Sequence, residues 1–203
     1  MRVRHKTKKR DLILKRYEMK IEAYEYLKNF LHENLPEVYD SIACDDGQIV
    51  LEEYIEGISA SDVAGEYTYQ GAKKVVTGVC KAVMALHKQR IIHRDIKPEN
   101  ILITKYGTVK LIDLNASRIP RGAEKDTVML GTIGYASPEQ LGVSESDERS
   151  DIYAIGVLFN VLLTGEHPSR NLAKGRAGRV VQKCTNIDPQ SRYATVKDLM
   201  LAL

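Results

Sequence analysis

Between His93 and Asn100 the chain reads His-Arg-Asp-Ile-Lys-Pro-Glu-Asn, and no other stretch restricts the fold so tightly. One short loop here carries an acid (Asp95), a cation (Lys97) and an amide (Asn100) at fixed offsets. Asp95 can orient a hydroxyl and accept its proton, and Lys97 can meet a phosphoryl group in transit. Asn100 can hold a divalent cation. A second metal-binding carboxylate, Asp113, follows in Ile112-Asp113-Leu114-Asn115. Phosphoryl transfer asks for positioning and charge neutralisation rather than covalent chemistry, and these groups supply both. The fold must therefore bring Asp113 back to the 93–100 loop, across short strands expected around 101–103 and 109–112.

The rest of the chain reads as a mixture of strands and helices. Residues 1–17 suggest two strands around the basic turn Lys6-Thr7-Lys8-Lys9-Arg10. Residues 18–32 suggest a helix stopped by Pro36. Val38-Tyr39-Asp40-Ser41-Ile42 and Gln48-Ile49-Val50-Leu51 form a strand pair around Asp45-Asp46-Gly47. Residues 53–57 then read as a linker. Val75, Val76, Val79, Ala82, Val83 and Leu86 repeat with a helical period over 70–89. Residues 151–163 are apolar nearly all round but too short to cross a bilayer, which predicts a buried helix. Closing helices are expected over 180–184 and 196–203, and the polar stretch 114–135 suits a mobile loop.

Composition narrows the classes. The 203 residues, 43% hydrophobic and 28% charged, suit one soluble domain or one compact two-lobe unit. A net charge of +3 is too small to argue for nucleic acid. The basic run from Arg2 to Arg10 reads as a solvated strand–turn–strand face. No apolar run is long enough for a membrane helix, and the first residues lack the apolar stretch of a signal peptide. Cys44, Cys80 and Cys184 are odd in number and widely spaced. They fit free thiols in a reducing cytoplasm, so a cytoplasmic location is expected.

The order of these motifs resembles the two-lobe protein kinase fold over nearly the whole chain, most closely the small bacterial eukaryotic-like serine/threonine kinases. The resemblance implies an α+β protein: a small, incomplete antiparallel sheet with one helix over 1–56, and a mainly helical part over 57–203. The catalytic loop would be 93–100 and the activation segment 113–139. It implies ATP and Mg²⁺ as cofactors, a Ser/Thr-bearing protein as substrate, and self-phosphorylation as an expectation. Asp95 would be the catalytic base, Lys97 would neutralise phosphoryl charge, and Asn100 and Asp113 would hold the metal. Lys15 resembles the strand lysine that binds phosphates, with Glu22 preferred over Glu25 as its helix partner. Glu52-Glu53-Tyr54-Ile55 resembles the adenine-receiving hinge, with Glu53 and Ile55 supplying backbone groups and Leu102 the apolar floor. Glu52 then occupies the gatekeeper position and needs a partner such as Lys15, unless a shifted register turns it to solvent.

Further positions follow from the same resemblance. Thr132, in Gly131-Thr132-Ile133-Gly134-Tyr135-Ala136-Ser137-Pro138-Glu139, stands where serine/threonine kinases keep a threonine against the catalytic acid. Glu139 should pair with Arg192. Asp151 should brace the catalytic loop, and His93 should be a packed support. Arg94 marks a loop that phosphorylation can order, with Thr127 as the first candidate acceptor. Asn115 replaces a glycine and suits left-handed backbone.

The departures keep other readings open. The chain has no glycine before Gly47, so the Gly-rich phosphate lid and the family's first strand are expected to be missing. That supports a kinase-shaped binding protein with weak or no turnover as the alternative. A small-molecule kinase of the aminoglycoside or choline type shares the catalytic loop, but Ala136-Ser137-Pro138-Glu139 and Arg192 argue against it.

Overall fold

The computed structural model describes residues 1–5, 9–120, 132–141 and 146–203. Its first part is a four-stranded sheet built from β1 (Arg2–Arg4), β2 (Asp11–Tyr17), β3 (Val38–Cys44) and β4 (Gly47–Glu53). The strand order is β1-β2-β4-β3, with every pairing antiparallel. The register sets Ile13 opposite Glu52 and Lys15 opposite Val50. Directly opposed residues share a face, so Lys15, Val50 and Glu52 project to one side. That side is the inner one, since Val50, Gln48 and Glu52 are all buried. Asp45 and Asp46 close the β3–β4 hairpin, with Cys44 opposite Gly47. Gly47 is required there. It sits at φ 140°, and a Cβ would lie 1.9 Å from the Tyr17 carbonyl oxygen.

The helix expected over 18–32 is much shorter: α1 spans Ala23–Leu27. Lys28 turns to extended backbone, and Asn29 takes a left-handed conformation at φ 66° that asparagine tolerates well. The residues that follow are bound elsewhere instead of continuing the helix. The Asn34 carbonyl accepts the Leu111 N–H at 2.9 Å, and the Asn34 amide donates to the Val109 carbonyl at 2.7 Å. These contacts tie the loop between α1 and β3 to the second part of the molecule.

Residues 54–56 form the expected linker, and the second part begins just after it with a short strand. β5 (Gly57–Ser59) pairs with β6 (Ile101–Thr104), which pairs with β7 (Val109–Leu111), all antiparallel. Around this small sheet lie α2 (Tyr69–Lys88), α3 (Glu148–Thr164), α4 (Gly175–Cys184) and α5 (Val196–Ala202). Local signals set their ends. Thr68 caps α2, Asp147 caps α3, Gly165 ends α3 at φ 73°, and Thr195 with Asp198 forms a capping box on α5. The α3 helix is buried on nearly every side and packs against α2, α4 and α5. Its Gly156 permits the approach of α4, since a Cβ there would fall 2.3 Å from Cys184 Cβ. The buried Asn160 side chain accepts the Ala173 N–H and donates to the Glu166 and Asn171 carbonyls, each at 2.8 Å, which pins the loop after α3. Among the described residues, no helix is long and apolar enough to cross a membrane.

Candidate active site

The loop between α2 and β6 is held from below by one carboxylate. Asp151, fully buried near the start of α3, accepts the backbone N–H of His93 at 3.0 Å and of Arg94 at 2.8 Å. His87, in the last turn of α2, bonds the same carboxylate through Nε2 at 2.8 Å. Burial pushes the Asp151 carboxyl up, but His87 and the two amides outweigh it and hold the group below the usual carboxylate range. These bonds fix Arg94 in left-handed backbone at φ 67°, a strain of about 1–3 kcal/mol for a non-glycine residue. The Arg94 carbonyl accepts from the Gln140 amide at 2.8 Å, which joins the loop to the segment after residue 131. His93 is completely buried, and desolvation holds its imidazole below the ordinary value, so it stays neutral near pH 7. It packs as a support, as the sequence suggests. The role of His87 was not read from the sequence; its only signal there is its place in the last turn before the loop.

On this base the structure brings Asp95, Lys97, Asn100 and Thr132 together. Thr132 Oγ1 donates to Asp95 Oδ1 at 2.6 Å. Asn100 Nδ2 donates to Asp95 Oδ2 at 2.9 Å and to the Asp95 carbonyl at 2.8 Å. Lys97 Nζ lies 3.0 Å from Asp95 Oδ2 and donates to Thr132 Oγ1 at 2.6 Å. Burial raises the Asp95 carboxyl, yet the Thr132 hydroxyl, the Lys97 ammonium and the Asn100 amide together keep it below its ordinary value. It is therefore ionised near neutral pH.

Asp113 approaches from the end of β7. The Ile112 N–H bonds the Asn100 carbonyl at 2.8 Å and so sets the distance between the two motifs. Asp113 itself is the left-handed residue, at φ 65°. The expectation placed that conformation at Asn115, which is not among the described residues of positive φ. The short polar Asp side chain makes the conformation tolerable two residues earlier. Asp113 Oδ1 accepts the Tyr17 hydroxyl at 3.3 Å, and the Tyr17 and Tyr24 hydroxyls lie 2.7 Å apart. Leu114 is buried, and its N–H reaches the Tyr24 hydroxyl at 3.5 Å.

Lys15 binds differently from expectation. Its ammonium lies 2.7 Å from Glu52 Oε1 and 3.6 Å from Asp113 Oδ1. Glu52 is thus turned inward, and it takes the place expected for Glu22. The physical reason is the short helix: Glu22 forms only the N-cap of α1, and the Glu25 carboxylate accepts the Ser41 hydroxyl at 3.1 Å. Lys15 and Glu52 are instead diagonal neighbours across the β2–β4 register. Burial raises the Glu52 carboxyl and Lys15 pulls it back down, and the balance stays above the usual value. Along the hinge, the Glu53 N–H bonds the Glu37 carbonyl at 2.8 Å, and the Glu53 carboxylate accepts Lys110 Nζ at 2.9 Å. Ile55 and Leu102 are half-buried. Thr127 and Gly131 lie outside the described residues.

The Lys15–Glu52 pair makes a prediction about stability. Lys15→Met leaves Glu52 buried without its cation, which should cost about 3 kcal/mol at neutral pH. A carboxyl raised in the folded state binds protons more tightly there than in the unfolded chain. Its contribution is therefore favourable at acid pH and is lost as pH rises through the folded value. The gap in thermal midpoint between Lys15→Met and the parent should accordingly widen from acid to neutral pH, and adding Glu52→Met should close it. A gap that is constant with pH would refute the pairing.

The donor set also fits a hard divalent cation. Both Asn100 amide hydrogens go to Asp95, which leaves its carbonyl oxygen as the acceptor on offer. The Asp113 carboxylate is about one-third exposed and engages its neighbours through Oδ1. One carboxylate and one carbonyl are too few to cage Mg²⁺, and among the described residues no cluster of three or more His, Cys, Asp or Glu exists. Mg²⁺ characteristically takes such a partial protein set and completes it with water and phosphate oxygens.

A carboxylate bonded by lysine, threonine and asparagine, a second carboxylate beside a strand lysine, and a buried aspartate under the loop are groups that positioning for phosphoryl transfer can use. The chain belongs to the protein kinase domain family, whose sequence profile matches residues 2–200. It is 29% identical to a probable serine/threonine-protein kinase of Clostridium perfringens, over 95% of this chain and 32% of that protein. It is 38% identical to an Aurora kinase of Candida glabrata, over 70% of this chain and 37% of that protein. With the serine/threonine-protein kinase PknB of Mycobacterium tuberculosis it shares 34% identity, over 59% of this chain and 20% of that protein. The chain thus spans well under half the length of these curated relatives.

Proposed function

We propose that this chain is a serine/threonine protein kinase of the bacterial type, transferring the γ-phosphoryl group of ATP to a protein hydroxyl in the cytoplasm. The observation that carries the reading is the Asp95 carboxylate, bonded at once by Thr132, Asn100 and Lys97. Residues 1–56 act as the nucleotide-side lobe and residues 57–203 as the substrate-side lobe, with 93–100 as the catalytic loop and 113–139 as the activation segment. Its own serines and threonines are among the acceptors.

Each residue has a task in this reading. Asp95 orients the acceptor hydroxyl and takes its proton as the oxygen bonds to phosphorus. Thr132 now occupies the Oδ1 position, where an acceptor Ser or Thr hydroxyl would sit beside it; a small hydroxyl there supports Ser/Thr as substrate. Lys97 meets the charge on the transferring group, and Lys15 binds the other phosphates. Mg²⁺ held by Asn100 and Asp113 would neutralise charge across the phosphate oxygens. Leu102 and the hinge at Glu53 and Ile55 receive the adenine. Tyr17 and Tyr24 hold Asp113 and Leu114 in place from the small sheet and α1, so the metal-binding acid is oriented from the nucleotide-side lobe.

Intact mass measured after incubation with Mg-ATP and a basic carrier protein tests this. Phosphate should appear on Ser or Thr of the carrier or of the chain itself, and EDTA should abolish it. No incorporation above an EDTA blank, on either protein, would overturn the assignment.

A further inference from the structure

A second feature lies on the opposite face of the β5-β6-β7 sheet from Leu102. Side chains alternate along a strand, so Leu102 faces the nucleotide side while its neighbour Ile103 faces the other way. There Ile103 lines a cavity of about 400 Å³ together with Ile58, Val63, Tyr67, Val75 and Val109. A second cavity of about 340 Å³ adjoins it, sharing Lys74, Gly107 and Val109. A third, of about 450 Å³, continues from Ile58 and Ile103 toward Glu56. The three share lining residues end to end and so make one open trough that an extended chain can follow.

The trough has a charged end. Lys73, Lys74 and Lys81 line the second cavity, and none of them makes an ion pair among the described residues. Lys74 sits at the junction: a Cβ on Gly107 would lie 3.0 Å from its ammonium. The acid in this cavity is Glu33, against three lysines, and Glu66 lines the first cavity beside Lys74. The nearby His32 reports the field. Burial depresses its pKa first, Glu33 opposes, and Lys110, Lys81 and Lys88 depress it further. Asn34 lines the same cavity, is 5% exposed, and has a side-chain oxygen with no hydrogen-bond partner. Its amide is committed to the Val109 carbonyl, so Asn34 shapes the wall of the cavity. Carboxylates for the lysines and apolar groups for the centre come together in a peptide. An inorganic anion brings acceptors alone, and a nucleic acid offers little to the apolar centre.

We infer that this trough is a docking site for an extended segment of a protein substrate, with a few apolar side chains flanked at one end by acidic residues. The docking role rests on the kinase reading; the binding itself does not. It holds the substrate away from Asp95 and raises its local concentration at the active site.

Binding and turnover are tested separately. The binding probe is a short fluorescein-labelled peptide of alternating leucine and alanine ending in a run of glutamates, followed by anisotropy with the full chain. The peptide should bind, and should weaken with added salt. A Lys74→Glu/Lys81→Glu variant should lose affinity by about tenfold or more, because like charges would then face each other. Ile58→Ser should weaken it through the apolar half, and controls ending in lysines or with leucine replaced by serine should bind poorly. Equal binding of the lysine-ended control, binding unchanged in both variants, or tighter binding of a uridine oligonucleotide would each overturn the site. In the second arm, a phosphorylatable peptide fused to the acidic segment should show a KM about tenfold lower than the unfused one, at unchanged kcat. The advantage should vanish in the lysine variant. If binding persists but no peptide is phosphorylated, the function proposed above fails and the site stands.

Discussion

Asp95→Asn should reduce phosphoryl transfer by about a thousandfold, the scale of a lost general base. The substitution preserves shape, so the thermal midpoint should stay close to the parent's. It removes more than a base, however. Asp95 accepts from three side-chain donors: the Thr132 hydroxyl, the Asn100 amide and the Lys97 ammonium. An asparagine there brings an amino group that cannot accept. If its carbonyl serves Lys97 and Asn100, the amino group faces Thr132, which can rotate to accept. If its carbonyl serves Thr132, the amino group opposes Asn100 and Lys97, and the Asn100 amide is pressed to flip. A flipped Asn100 turns its nitrogen toward the metal position. The variant should therefore need more Mg²⁺ for its residual turnover as well as being slow. Titrating Mg²⁺ at saturating ATP, with intact mass as the readout, measures both. Turnover within tenfold of the parent would refute Asp95 as the base. In the parent, the depressed Asp95 carboxyl keeps the base ionised, so transfer should hold steady from neutral pH down to the ordinary carboxylate range and fall only below it.

What could be read from the sequence depended on how local the chemistry was. Asp95, Lys97 and Asn100 share one loop, so their spacing already implied their meeting. Glu139 and Arg192 are far apart, and they were paired only because they matched motifs of a known family. The expected helix partner of Lys15, Glu22, depends on a helix register that the short α1 does not provide. Asn29 broke it, and Asn34 was engaged with β7. Tertiary hydrogen bonds outweighed propensity there. An inward Glu52 with Lys15 as its partner was legible from the hinge motif, and the β2–β4 register decides it against the one-residue slip that would turn it to solvent. The trough along α2 was invisible for a related reason. It joins Ile58 and Ile103, whose adjacency comes from the pairing of β5 with β6, to Lys74 of α2, and none of this follows from spacing along the chain.

The largest effect on stability should come from Glu139→Gln. Arg192 grips Glu139 in a two-pronged pair, NH1 to Oε1 at 2.6 Å and NH2 to Oε2 at 2.9 Å, with both residues buried. Ser150 donates to Glu139 Oε1 at 2.9 Å, and the guanidinium also serves the Arg149 carbonyl at 3.0 Å and the Asn186 carbonyl at 2.8 Å. A glutamine keeps the volume, but it places an amino group against one prong and leaves a buried cation without its counter-charge. Breaking a buried pair from one side costs about 3–5 kcal/mol. For a domain of this size that corresponds to a fall in Tm of roughly 6–20 °C. Replacing both partners, as in Glu139→Leu with Arg192→Met, should recover much of the loss, because the desolvation of both charges is then relieved. The pH dependence gives an independent check. Burial raises the Glu139 carboxyl, but Arg192 and Ser150 hold it below its ordinary value. A depressed carboxyl stabilises the fold above the unfolded value, and that contribution is lost as pH falls through the folded value. The acid limb of the stability curve should therefore flatten in Glu139→Gln. The pair also joins the segment carrying Thr132 to the end of the chain, since Glu139 lies just beyond that segment and Arg192 between α4 and α5. Below its lowered Tm, the variant should thus show a raised KM for protein substrate before any fall in ATP binding. An unchanged KM would mean that the anchor supports the fold without positioning the substrate.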